Sequence, residues 1–150
     1  MLKAIRIMST TENDIEAKAE LAVVRHLAGI SAAIGPIDIH PGVQVTELTL
    51  PWIVVAAQGA EETIFGTGQY AVNLEIELRN NMDDTTAAAH RAKMGAIRDE
   101  FANSWVGASL SAGVSQFTAV GIVKGTSKMT VEDREFVSVF PLTLHCRPSA

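Results

Sequence analysis

Strict alternation of apolar and polar residues makes the segment from Tyr70 to Arg79 the clearest strand in the chain. One side of the extended segment carries Tyr70, Val72, Leu74, Ile76 and Leu78. The other side carries Gln69, Ala71, Asn73, Glu75, Glu77 and Arg79. This period of two is typical of a strand with one buried face and one face that meets water or a partner.

Two segments repeat apolar residues at helical spacing. The first predicts a helix over about 12–29, whose apolar face carries Ile15, Ala19, Ala22, Val23, Leu27 and Ile30. The second follows Asp83-Asp84-Thr85-Thr86 and carries His90, Met94, Ile97 and Phe101 on one face. We expect Asp83 or Asp84 to be its N-cap, because a carboxylate there accepts backbone N–H bonds and meets the positive end of the helix dipole.

Shorter alternating runs predict the remaining strands. Candidates are 37–40, an imperfect run over 43–49, 52–56, 114–124 and 134–146. In 114–124 the expected common face is Val114, Gln116, Thr118, Val120 and Ile122. In 134–146 it is Phe136, Ser138, Phe140, Leu142 and Leu144, and Pro141 indicates an edge strand or a bulge. Glycines and polar residues predict a long loop over 59–68 and a turn-rich stretch over 103–113.

These elements predict a fold of the α+β class. We expect one compact domain over residues 1–150, with a mostly antiparallel sheet of about four to five strands flanked by two helices. A chain of 150 residues with 47% hydrophobic residues is long enough to bury its own core.

Charge and cysteine content narrow the classes of function. The net charge is −5 and no Lys/Arg cluster is present, which argues against a sequence-reading nucleic-acid binder. Cys146 is the single cysteine, so an intramolecular disulfide is excluded and a reducing compartment such as the cytoplasm is favoured. The N-terminal residues lack the apolar core of a signal peptide, and the longest apolar run, over 52–57, is too short to cross a bilayer.

Each candidate for chemistry has a simpler structural explanation. Gly66-x-Gly68 precedes a strand and lacks the third glycine of a phosphate cradle. The histidines are scattered, and His90 is interpreted as a packed or hydrogen-bonded residue at the edge of the core. Cys146 and His145 are adjacent in a strand, so their side chains point to opposite faces. We therefore expect no catalytic residue, no metal and no cofactor.

The order of these elements resembles the tail terminator (tail completion) proteins of long-tailed bacteriophages. The segments that carry the resemblance are Gly68-Gln69-Tyr70, the alternating run from Val72 to Leu78, Asp83-Asp84, and Ala89-His90 leading into the helix through Phe101. The family has no catalytic residues, which agrees with the absence of a catalytic motif.

The resemblance implies a structural virion protein of the head–tail junction, assembled in the host cytoplasm. Such a protein forms a ring of about six subunits, caps the tail tube, ends its polymerisation and docks to a connector or head-closure protein. Rings close by heterologous contacts, in which different patches of neighbouring copies meet. DNA would pass through the lumen without specific binding. The predicted contact residues are Glu61, Glu62, Thr63, Phe65, Gln69, Asn73, Glu75, Glu77 and Arg79.

Two other functions are compatible with the same sequence. One is a small cytoplasmic ligand-binding or regulatory domain, dimeric, with a pocket near Trp52 and Trp105. The other is an enzyme with an unusual site that uses His90 with Asp83 or Asp84. The hypothesis of a structural virion protein is preferred over these two because it needs no reactive group.

Overall fold

The computed structural model describes residues 10–30, 34–35, 37–42, 48–63, 66–101 and 107–148. The helices in these ranges are α1 (Thr10–Ala28), α2 (Ala87–Glu100) and α3 (Gly107–Ala112). The strands are β1 (Asp38–Pro41), β2 (Trp52–Glu62), β3 (Tyr70–Asn81), β4 (Phe117–Lys124), β5 (Lys128–Glu132) and β6 (Glu135–Pro148).

The strands form one sheet in the order β1-β2-β3-β6-β4, with β5 also paired to β6. The β1–β2 pairing is parallel and the other pairings are antiparallel. β5 pairs with the first part of β6 and β4 with the last part, so β4 and β5 lie end to end along one sheet edge. The predicted α+β class with a mostly antiparallel sheet is confirmed.

The pairing of β3 with β6 is the longest and most regular in the sheet. It runs without a register shift from Tyr70 opposite Cys146 to Asn81 opposite Glu135. The residues that face the core are those predicted from alternation, and they are buried: Val72, Leu74, Ile76 and Leu78 on β3, and Phe136, Ser138, Phe140, Leu142 and Leu144 on β6. Leu142 and Phe140 lie directly opposite Leu74 and Ile76.

The three helices share one hydrophobic core with this face of the sheet. That core includes Ile15, Ala19, Ala22, Val23 and Leu27 of α1, Met94 and Ile97 of α2, and Leu110 of α3. The predicted helices therefore match α1 and α2, and their apolar faces are buried, except that Ile30 follows α1 and is only partly buried. His26 ties the helices together, because its ring nitrogens contact Ser109 Oγ at 2.8 Å and Glu100 Oε1 at 2.9 Å.

The N-cap of α2 is Thr86, so the prediction of Asp83 or Asp84 was wrong. Thr86 has extended backbone angles, and its Oγ1 accepts a hydrogen bond from Ala89 N at 3.1 Å. A threonine hydroxyl immediately before the first helical residue can supply this bond, as a carboxylate can. Asp83 instead accepts a bond from Arg134 Nη2 at 2.5 Å.

Several predicted loops and faces differ from the structure. Residues 59–62 continue β2, because pairing with β3 outweighs the low strand propensity of Gly and Glu. Residues 107–112 form α3 where turns were expected, and β5 was missed. In β4 a register shift between Ala119 and Gly121 changes the face, so Phe117 and Ala119 are buried and Val120 is exposed. Residues 43–47 and Trp105 lie outside the described ranges.

The sequence predicted an edge strand or a bulge at Pro141. The edge strand was wrong, because β6 is an interior strand, and its pairing with β3 runs past Pro141 without a bulge. The Pro141 carbonyl accepts a hydrogen bond from Gly125 N at 2.9 Å. The N–H and C=O of one residue point to the same side of an antiparallel strand. The donor that proline lacks would therefore face the gap between β4 and β5, where residues 125–127 leave the sheet. An interior proline is tolerated because no ladder bond is lost there.

The same close approach requires glycine at position 125. A Cβ on Gly125 would lie 2.6 Å from Pro141 Cγ, an atom of the proline ring, and 3.2 Å from the Pro141 carbonyl oxygen. We predict that Gly125→Ala destabilises the fold by about 1–3 kcal/mol, measured by urea unfolding. Gly59→Ala is the matched control, because a Cβ there meets nothing within 4 Å. Equal stability of the two variants would contradict the packing described here.

Candidate interaction surface

The face of the sheet opposite the helices is called the open face here. It consists of Trp52, Val54 and Ala56 on β2, Asn73, Glu75, Glu77 and Arg79 on β3, and Val139, Pro141 and Thr143 on β6. In the ranges that the structure describes, all the helices share the core on the other side. The open face is therefore a sheet surface that no described helix covers.

Arg79 organises one end of the open face. Its Nε lies 2.6 Å from Glu77 Oε2, its Nη1 3.1 Å from Glu135 Oε1 and its Nη2 3.5 Å from Glu132 Oε1. Its guanidinium carbon also lies 5.5 Å from the centre of the Trp52 ring. Burial alone would lower the pKa of Arg79, but the carboxylates of Glu77, Glu135 and Glu132 outweigh it and raise that pKa.

The middle of the open face carries fewer charged side chains than the Arg79 end. Asn73 Oδ1 accepts a hydrogen bond from Thr143 Oγ1 at 2.9 Å. Glu75 is exposed opposite Pro141, and it forms no ion pair with any described residue. Of the predicted contact residues, Asn73, Glu75, Glu77 and Arg79 are thus brought together on one surface.

The remaining predicted contact residues belong to the connection between β2 and β3. Glu62 Oε2 accepts a bond from Gly68 N at 2.8 Å. The backbone N–H and the hydroxyl of Thr63 both donate to the Gln69 carbonyl, at 2.9 and 3.1 Å. The bonds of Glu62, Thr63 and Gln69 therefore stabilise the hairpin itself. Glu61 is exposed at the edge of the hairpin. Phe65 lies outside the described residues.

Sequence reasoning missed the partners of Arg79. Glu132 and Glu135 flank the turn that joins β5 to β6, and β5 was not recognised as a strand. The signal in the sequence that could have indicated a hairpin was the polar pair Asp133-Arg134, which lies between the segments of β5 and β6. Both residues have positive φ, 49° and 62°, as the mirror-image turns of two-residue hairpins require.

The most polar group in the core is formed by His90, Asn80 and Ser138. His90 Nδ1 lies 2.6 Å from Asn80 Oδ1, and Nε2 lies 2.8 Å from Ser138 Oγ. Because Asn80 Oδ1 is an acceptor, His90 Nδ1 carries the proton and donates to it. His90 Nε2 then accepts a hydrogen bond from the Ser138 hydroxyl. The prediction that His90 is a packed, hydrogen-bonded residue is confirmed. Its ring bonds to these two groups and not to Asp83 or Asp84, the pairing that the enzyme hypothesis required.

The other candidates for chemistry lack the required surroundings. Cys146 is fully buried, and burial raises the pKa of its thiol to about 12, so it is protonated at neutral pH. Among the residues that the structure describes, no three His, Cys, Asp or Glu side chains are grouped to hold a metal ion. No helix of the described chain is long and apolar enough to cross a membrane.

Comparison with known proteins finds that this chain is similar in fold to a chain of a solved structure. No protein-family model matches the sequence, and no curated protein matches it either. The chain is similar to a chain of a solved structure titled "Virion of native gene transfer agent (GTA) particle". The two chains align with a TM-score of 0.64 over 93% of this chain and 99% of that chain, at 16% sequence identity. This chain therefore shares its fold, over nearly its whole length, with a chain of that particle structure.

The buried histidine makes stability depend on pH. Burial lowers the pKa of His90, and the positive charges of Lys93 and Arg91 lower it further. The unfolded chain therefore takes up a proton first as pH falls through about 6.5. We predict that the free energy of unfolding is greatest above that pH and decreases towards the lower folded pKa.

Urea unfolding at pH 7.5 and pH 5.5 measures this dependence. In His90→Gln the loss on acidification should be smaller than in the wild type, although the variant is less stable at both pH values. An unchanged loss on acidification in His90→Gln would contradict the role assigned to His90.

The Arg79 cluster predicts a second stability effect. Replacing Arg79 by Met leaves three neighbouring carboxylates without their common cation, and should cost about 1–2 kcal/mol at low salt. The loss should shrink in about 1 M NaCl, which screens the remaining repulsion. Asp83→Asn is the control, because the Arg134–Asp83 pair is exposed, at 74% and 61%. Equal losses for the two variants would contradict the cluster's importance.

Proposed function

We propose that this protein is a structural component of a phage-like virion, namely the ring subunit that caps the tail tube at the head–tail junction. The observation that carries the proposal is the likeness of its whole fold to a chain of the gene transfer agent virion. The likeness spans nearly all of both chains, so the shared unit is a complete domain rather than a common motif.

The chemistry of the described residues supports a role in assembly. The nucleophile and base candidates are committed to the core: Cys146 is buried, and His90 is held by Asn80 and Ser138. By contrast, the open face presents Glu75 and Asn73 on a rigid sheet that the helices leave uncovered. A rigid surface of mixed polarity is a suitable contact face for another protein.

In the proposed ring, neighbouring copies meet through different patches, so that the rotation closes. The open face contacts the tail tube protein or the connector. A net charge of −5, with no run of Lys and Arg along the sequence, is compatible with DNA passing through the lumen without a counterion-release trap.

A capping ring has a direct signature in tube growth. We predict that adding the protein to polymerising tail-tube subunits shortens the tubes in proportion to its concentration, with a ring visible at one tube end by electron microscopy. Glu75→Lys should weaken capping because it reverses the free charge on the open face. Asp84→Lys, at an exposed acid outside that face, should cap normally.

The oligomeric state of the purified protein, by light scattering over a concentration series, complements this test. Tubes of unchanged length in the presence of a folded protein would contradict the capping role. A fixed dimer without rings would favour instead the ligand-binding domain.

A further inference from the structure

The two edges of the sheet differ in charge. At one edge, a groove of about 250 Å³ lies between α2 and the start of β5. Its lining residues are Arg91, Met94 and Arg98 of α2, Ser127, Lys128 and Met129 at the β4–β5 junction, and Ser138 of β6. This set is called the basic groove. It concentrates three cations in a chain whose net charge is negative.

The cations of the basic groove have no anionic partner among the described residues. Arg79 and Arg134 are engaged in ion pairs, but Arg91, Arg98 and Lys128 form none with a residue that the structure describes. Arg98 Nη1 is held in place by a 2.8 Å bond to Ser127 Oγ. Three unneutralised cations, one of them held in place, form a surface ready for carboxylates from outside the subunit.

The same edge also exposes apolar side chains. Within the described ranges, the large hydrophobic residues that are exposed are Val120 at 44%, Val123 at 57% and Val131 at 56%. All of them belong to β4 or β5. The outer backbone of β4 and β5 pairs with no other described strand. An edge with exposed valines and free ladder positions is the kind of edge that natural proteins cover by association.

The opposite edge is acidic. β1 pairs only with Trp52–Val55, so the far part of β2 lies at the edge of the described sheet. The Ala57 N–H there donates to Glu20 Oε2 at 2.6 Å, and Glu61 is exposed further along. Asp38 of β1 is also exposed, and neither Asp38 nor Glu61 forms an ion pair with a described residue.

We infer that the basic groove of one copy receives the acidic edge of the next copy, so that Arg91 and Lys128 face Asp38 and Glu61 across the subunit boundary. This inference rests on the proposed ring. Two opposite edges of one sheet give the heterologous contact that a ring requires, since each copy offers one edge to each neighbour. Charge complementarity sets the register of the contact, and the valines supply its apolar part.

Charge reversal tests the pairing directly. One variant carries Arg91→Glu and Lys128→Glu, and a second carries Asp38→Lys and Glu61→Lys. Each alone should raise the protein concentration needed for assembly at least about tenfold, with or without tail tubes. Mixing the two variants should restore assembly, because each then finds a complementary edge. Circular dichroism of each variant verifies that it is folded.

Two further variants serve as controls. Asp84→Lys reverses an exposed acid outside the acidic edge, and Arg147→Glu reverses an exposed cation outside the groove. Both should assemble with each other and with themselves as the wild type does.

The outcomes separate the inference from the proposed function. Wild-type rings that are insensitive to both reversals would overturn the edge-to-edge contact and leave the ring proposal standing. Weakened assembly that mixing fails to restore would also overturn the pairing, since another partner would then explain the loss. A wild-type protein that forms no ring even at tube ends would overturn both.

Discussion

The uninterrupted pairing of β3 with β6 is the constraint on which the rest of the molecule depends. Every residue of β3 has a partner on β6, and no register shift occurs between them. Because side chains alternate with period two, a shift of β6 by one residue would turn Phe140, Leu142 and Leu144 away from the core. The same pairing places Asn73, Glu75 and Glu77 together on the open face. One register therefore fixes both the core and the candidate contact surface.

The edges of the sheet follow from how the other strands meet this central pair. β6 is long enough to pair with β5 along its first part and with β4 along its last part. The junction between them falls at Pro141, which cannot donate a ladder bond, and Gly125 fits closely against it. The junction turns residues 125–127 towards α2 and creates the basic groove beside Arg98. A local backbone requirement thus shapes a surface feature.

The fold could be predicted from the sequence wherever burial and periodicity agree. β3, β6, α1 and α2 were predicted because one face of each is buried, and burial is what the apolar pattern records. Thr86 was missed as the N-cap because three other capping residues precede it, and only geometry separates them. β5 was missed because Lys128–Glu132 is an edge strand with mostly exposed side chains, whose ladder bonds leave no apolar pattern.

The candidate surface was predicted in part for the same reason. Alternation in β3 gave Asn73, Glu75, Glu77 and Arg79 as one face, but the partners of Arg79 come from the unrecognised hairpin. The basic groove was invisible in the sequence, since Arg91, Arg98 and Lys128 are distant along the chain and meet only through the packing of α2 beside β5.

Hydrogen–deuterium exchange on assembled and dissociated protein tests most directly whether copies join through the edges of the sheet. Free edge amides exchange readily, and pairing or burial against a neighbour protects them. The account predicts new protection in β4, β5 and residues 58–62 of β2 on assembly, with β3 and β6 unchanged because they are already protected. New protection confined to α1, with β4 and β5 exchanging as in the dissociated protein, would contradict the account.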